Sequence, residues 1–195
     1  MSIEELYREI DYKDEAKALE IISENPTGLN INWKNENNHN MTCLHVACYR
    51  NLAKVIEKLL NYPDIDVNVQ NKYGWTPIYL ACLPNNVEVL KLLLNDDRTD
   101  VIKADNDFYT PLMGAAFYGN LACVEHLLAS LRHITKIDDA LKEAKKWTNQ
   151  GTREVVLILE QYLANPAKTV KALRIKLQLQ GSFQFISYFS FFIIY

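Results

Sequence analysis

The sequence predicts an all-α solenoid of stacked helix–turn–helix units with loop or β-hairpin fingers. Three observations predict it. TPIYLA at residues 76–81 recurs as TCLHVA at 42–47 and as TPLMGA at 110–115, 34 residues away on each side. A leucine pair follows each copy at a constant offset, at Leu59-Leu60, Leu93-Leu94 and Leu127-Leu128. Small residues occupy the same two positions each time, at Ala47-Cys48, Ala81-Cys82 and Ala115-Ala116. A fixed period of this kind marks an array in which one unit cannot bury its own apolar face, so neighbours must stack.

Each position within the unit has a local reason. Thr42, Thr76 and Thr110 suit a helix N-cap, and Pro77 and Pro111 suit the first helical turn. The small residues let a second helix approach closely. Apolar pairs at Val55-Ile56, Val89-Leu90 and Cys123-Val124 then join the leucines as its buried face. Together these residues resemble the ankyrin repeat, whose pattern is T-P-L-H-x-A-A, a glycine turn, then V-V-x-x-L-L. The resemblance is close over residues 37–130 and extends to 5–165 with degenerate ends. It implies an ankyrin-repeat solenoid and a non-catalytic protein–protein interaction module, a scaffold or adaptor.

Taken in order, residues 3–36 read as a degenerate N-terminal capping repeat, with helices at Glu4 to Ile10 and Glu15 to Ser23 and a break at Asn25-Pro26-Thr27-Gly28. Full repeats follow at 37–70, 71–104 and 105–137. The first finger is two residues longer than the second. Asn40 stands where Gly74 stands later, and asparagine tolerates left-handed backbone. Phe108 holds that place in the third finger, where positive φ strains a bulky residue, so a different turn is expected there. Asn51-Leu52, Asn85-Asn86 and Gly119-Asn120 separate the helices of each unit, with Pro84 reinforcing one stop. Residues 138–164 form a degenerate C-terminal capping repeat. In it Asp139 to Ala144 imitates the first helix, Val155, Val156 and Leu159 imitate the second, and Asn165-Pro166 terminates it.

Residues 165–195 are basic (Lys168, Lys171, Arg174, Lys176), then aromatic and apolar, SFQFISYFSFFIIY at 182–195. That stretch is shorter than the roughly 20 apolar residues a transmembrane helix needs. Its readings stay open: a segment folded on the last cap, a disordered or aberrant end, or a tail that contacts a membrane. The last gives the competing function, a membrane-tethered structural module anchored by the apolar C-terminal segment.

Composition narrows the function further. A formal charge of −3 argues against a nucleic-acid partner. Cys43, Cys48, Cys82 and Cys123 fall at small or apolar repeat positions, which reads as reduced thiols in the cytoplasm or nucleus. The acidic N-terminus lacks the apolar core of a signal peptide. Cys43-x-His45-x-x-Cys48 lacks the second ligand pair of a zinc site. Asp96-Asp97 and Asp105-Asn106-Asp107 lack the glycine and terminal glutamate of a calcium loop. No phosphate-binding or nucleophile motif occurs, so no enzyme, cofactor, metal or small-molecule substrate is expected. In ankyrin repeats the motif histidine bonds the threonine hydroxyl, which is the reading for His45. His126 and His133 are expected to face solvent. Asn68, preceded by Leu60 and Asp66-Val67, resembles the asparaginyl β-hydroxylation pattern of ankyrin repeats and equally an ordinary loop residue.

The resemblance implies that a partner protein binds the concave surface of fingertips and outward residues of the first helices. Those positions hold Met41, Tyr49 and Arg50 in the first unit, Lys72, Tyr73 and Trp75 in the second, and Tyr109, Phe117 and Tyr118 in the third. Asn38, His39, Leu83, Pro84, Asn106 and Asp107 adjoin them. Tyrosine, tryptophan and arginine dominate binding hot spots. Alternatively, Tyr73, Trp75 and Tyr109 pack on one another as a ladder between fingertips and give only stability.

Overall fold

The computed structural model describes residues 2–24, 29–147 and 149–179. Its helices come in consecutive pairs: α1 Ile3–Asp11 with α2 Glu15–Glu24, α3 Cys43–Arg50 with α4 Ala53–Leu60, α5 Pro77–Cys82 with α6 Val87–Asn95, α7 Pro111–Tyr118 with α8 Leu121–Ala129, and α9 Ile137–Lys145 with α10 Gln150–Ala164. A further helix, α11 Pro166–Lys176, follows. First helices pack in one row, α1 on α3, α3 on α5, α5 on α7 and α7 on α9. Second helices form the other row, α2 on α4, α4 on α6, α6 on α8 and α8 on α10. Leu59, Leu93 and Leu127 are fully buried, as are Ala47, Ala81, Ala115 and Ala116. The repeated leucines and small residues therefore meet between the rows as one continuous core.

The same chemistry starts each full unit. Thr42, Thr76 and Thr110 accept the backbone N–H of His45, Tyr79 and Met113 through their hydroxyls. The first helices of the first and third units end in left-handed residues, Asn51 at φ 63° and Gly119 at φ 71°. Asn85 supplies φ 61° in the second unit.

Fingers link successive units edge to edge. The Lys72 N–H donates to the His39 carbonyl at 2.9 Å, and the Asn106 N–H donates to the Tyr73 carbonyl at 3.1 Å. Gly74 is required here, because a Cβ would lie 2.5 Å from the Asn106 side-chain oxygen and its φ is +82°. The third turn does not take the different shape expected of it. Phe108 has φ 65°, and its N–H donates to the Asp105 carbonyl at 3.0 Å, as Gly74 donates to Asn71. The Asp105 carboxylate explains why the turn survives: it accepts from the N–H groups of Asp107 and Tyr109 and holds the loop closed. The strain on Phe108, of order 1 kcal/mol, is thus imposed by the loop around it.

At the bases of the fingers, Asn32 and Asn68 do equivalent work. Asn68 donates to the Arg98 carbonyl at 2.7 Å and accepts from the Asp100 N–H at 2.7 Å. Asn32 makes the same pair of bonds to Asp64 and Asp66. A side-chain amide stapling two loops accounts for asparagine at both positions.

One further expectation is corrected. His126 does not face solvent; it is buried and its ring donates to the Ala122 carbonyl at 2.8 Å. Beyond α10 the chain folds on, which fits the open reading of a segment packed on the preceding helices. Asn165-Pro166 ends α10 and begins α11, with Asn165 capping it through the Lys168 N–H. α11 packs on α8 and α10, burying Leu173 and Thr169. Arg174 reaches the Ala129 carbonyl at 2.9 Å, and Lys176 pairs with the buried Glu125. The apolar stretch 182–195 lies outside the described residues, as does the break at 25–28. No helix among the described residues is long and apolar enough to cross a membrane.

His45 is fully buried and bridges two units. Its Nδ1 accepts the Thr42 N–H at 3.1 Å, and its Nε2–H donates to the Trp75 carbonyl at 2.9 Å. Burial lowers its pKa to about 4. The folded state binds the neutral ring, so stability is intact above the ordinary histidine pKa of about 6.5 and falls as pH drops toward 4. In urea titrations, wild type should lose about 2–3 kcal/mol more than His45→Gln between pH near 6.5 and pH near 4.5. Parallel losses in the two proteins would show that His45 is not the titrating group.

Candidate functional site

The finger-and-first-helix face carries two aromatic clusters rather than one stripe. At the fingertips, His39 meets Tyr73 at 5.1 Å between ring centroids, Tyr73 meets Trp75 at 4.8 Å, and Trp75 stacks on Tyr79 at 6.0 Å. The ladder therefore runs into Tyr79, with Tyr109 outside it. Tyr79 occupies the histidine position of the second unit and is almost wholly buried. Its ring lies over Gly114, where an added Cβ would come within 3.1 Å of it. Burial, then the Asp105 carboxylate, raises its hydroxyl pKa. The second cluster sits at the end of α7, where Phe117 meets Tyr118 at 5.1 Å and Trp147 at 5.5 Å, both edge to face.

The remaining expected residues divide by what already engages them. Met41 is half-buried against the core and bridges to Asn35 through the backbone. Arg50 is committed to the first cap: its guanidinium pairs with Asp11 of α1 and lies 5.9 Å from the Tyr49 ring. Tyr109 is half-buried, and burial and the Glu143 carboxylate raise its pKa. Asn38 donates to the Tyr7 hydroxyl at 2.7 Å, and Asn106 donates to the Lys72 carbonyl at 3.0 Å. Leu83 is half-buried, its side chain close to Gly114.

Five residues on this face present aromatic rings to solvent at high exposure: Tyr49 at 47%, Tyr73 at 39%, Phe108 at 73%, Tyr118 at 57% and Trp147 at 51%. Lys72 is exposed, its ammonium 4.9 Å from the Tyr73 ring centroid. Asp107 and Pro84 are exposed as well.

Sequence reasoning did not place Tyr79, Trp147 and Phe108 on this face. Tyr79 lies one helical turn after Trp75, a spacing that signals contact. Trp147 closes a helix whose register had degraded. Phe108 breaks the glycine pattern of the turn, and an aromatic at a glycine position is itself a signal.

With this geometry the chain can be compared with known families. The family model for ankyrin repeats (3 copies) matches residues 44–138. Residues 44–138 are ankyrin repeats. Comparison with curated proteins gave no match. Ankyrin arrays serve in general as protein-interaction modules. In this one the Cys43/His45/Cys48 triplet is buried, His45 spends both ring nitrogens on backbone groups, and burial pushes the Cys43 thiol up to about 12. Among the described residues, no group of three or more His, Cys, Asp or Glu side chains is arranged to hold a metal ion.

The division into stacked and free rings is testable. Trp75→Ala should lower the free energy of unfolding by about 2–3 kcal/mol, because the ring is half-buried between Tyr73 and Tyr79. Tyr118→Ala should stay within about 0.5 kcal/mol of wild type. Chemical denaturation followed by circular dichroism measures both, and an unchanged Trp75→Ala midpoint would deny the stack any structural role.

Proposed function

We propose that this ankyrin-repeat protein is a non-catalytic scaffold or adaptor that holds another protein against its fingertips and first helices. One observation carries the reading. Tyr49, Tyr73 and Tyr118 remain substantially exposed, one in each of three successive units, on the fingers and the ends of the first helices. The Tyr49 and Tyr118 rings do little for the fold, whereas tyrosines at the centre of interfaces typically carry much of the binding energy. Exposed aromatic surface of this extent is the usual mark of an interface. Trp75 packs against Tyr73 and Phe117 against Tyr118, Lys72 and Arg50 set the charge beside Tyr73 and Tyr49, and the reading takes in the half-buried Met41 and Tyr109 as the rest of the contact surface. The four cysteines are buried free thiols, which fits a reducing compartment, the cytoplasm or nucleus.

The competing membrane-tether reading depends on the apolar stretch 182–195, and nothing in the described residues favours it. The test of the proposal is affinity capture with the full chain against a Tyr49→Ala/Tyr118→Ala double variant, with mass spectrometry of what is retained. A genuine partner should be lost from the variant, corresponding to about 2 kcal/mol or more of binding, while melting temperature holds. Equal recovery on both baits would remove this face as the interface.

A further inference from the structure

We propose that the third fingertip, built on Phe108, anchors an extended, acidic and apolar segment of the partner protein. The inference deepens the reading of the array as a protein-binding module and rests on it.

Phe108 is in the wrong place for folding. It occupies the left-handed turn position that Gly74 fills in the preceding finger, at φ 65°. Its ring is 73% exposed. Glycine would adopt this backbone freely and leave no apolar surface in water. The phenyl ring is therefore retained against both local preferences, the signature of a residue kept for contact rather than for the fold.

The finger ladder also stops at this point. His39 passes a backbone hydrogen bond to Lys72, and Tyr73 passes one to Asn106. The next acceptor in register is the Asp107 carbonyl, and no fourth finger follows. Among the described residues nothing donates to it. Instead the chain runs through Lys136, itself at φ 58°, whose ammonium donates to the Phe108 carbonyl at 3.0 Å and lies 5.8 Å from the ring centroid. The open edge therefore offers a backbone acceptor and an exposed ring side by side, the arrangement by which an extended segment adds to a ladder.

Charge specifies what that segment carries. Two neighbouring fingertips repeat one motif, an exposed aromatic ring with an ammonium beside it, Lys72 on Tyr73 and Lys136 on Phe108. Neither ammonium has a carboxylate partner among the described ion pairs. Asp105 is turned inward onto backbone N–H groups, leaving Asp107 as the exposed acid between the two lysines. The complement is a strand that donates an N–H to the Asp107 carbonyl, lays an apolar side chain on Phe108, and carries acids toward Lys72 and Lys136.

The test uses short random peptides displayed on phage and selected on the full chain, then titrated by calorimetry as synthetic peptides. Selected sequences should be rich in Asp, Glu and apolar residues. Phe108→Gly should weaken them about tenfold or more while melting at or above the wild-type temperature. Lys136→Gln should weaken them less, with an effect that fades at high salt. The anchor is overturned if Phe108→Gly binds them unchanged, if the selected peptides are basic, or if Phe108→Gly melts well below wild type. Peptides that ignore Phe108→Gly but are lost from Tyr49→Ala/Tyr118→Ala would sink the anchor and leave the protein-binding face intact. Failure to select any binder would overturn both.

Discussion

Every unit of this array has an apolar face that it cannot cover by itself, and the structure follows from that constraint. Leu59, Leu93 and Leu127 are buried only because the neighbouring pair arrives in register. The register in turn depends on alanines and cysteines at the close approach of the two helix rows. A larger side chain at Ala81 or Ala115 would separate them, and the leucines would open to water. The threonine caps, the asparagine turns and the asparagine staples at 32 and 68 then fix details within a frame that burial has already set.

Once the frame is fixed by repetition, individual motif positions become free to differ. The histidine position shows this. In the first unit His45 ties its own cap to the backbone of the next finger. In the second unit Tyr79 gives up that bond and fills the face with an aromatic ring, made possible by Gly114 in the third. In the third, Met113 is simply buried. One position thus serves as a polar bridge, a platform for Trp75, and packing. The array spends the same slot on stability in one place and on shaping its surface in another.

The repeat units were legible because period is a property of the chain that survives substitution at any one site. The helix pairs, the threonine caps and the buried leucines all follow from it. The surface was less legible, and the reasons are local. Trp75 and Tyr73 look alike in sequence and pack on one another, yet Trp75 is half-buried between Tyr73 and Tyr79 while Tyr73 stays exposed. His126 looks like a solvent-facing residue until Ala122, one turn earlier, is seen to accept its ring N–H. Phe108 defied the steric rule for a left-handed residue because Asp105 closes the loop from within. The helix at 166–176 was hidden by composition: a run of basic residues reads as a tail when the buried glutamate that one of them pairs with lies in a different unit.

That last helix changes how the array ends. Elsewhere a side chain of one unit touches the next, so layers can be added or removed without consulting distant ones. Arg174 and Lys176 instead reach back over 45 and 51 residues to Ala129 and Glu125, past the whole of the intervening helix pair. The final pair is therefore held as the filling of a clasp rather than as one more tile in a row. The carboxyl-terminal end gains the all-or-none character of a globular domain, and a further repeat would have to seat on α10, against which α11 already packs.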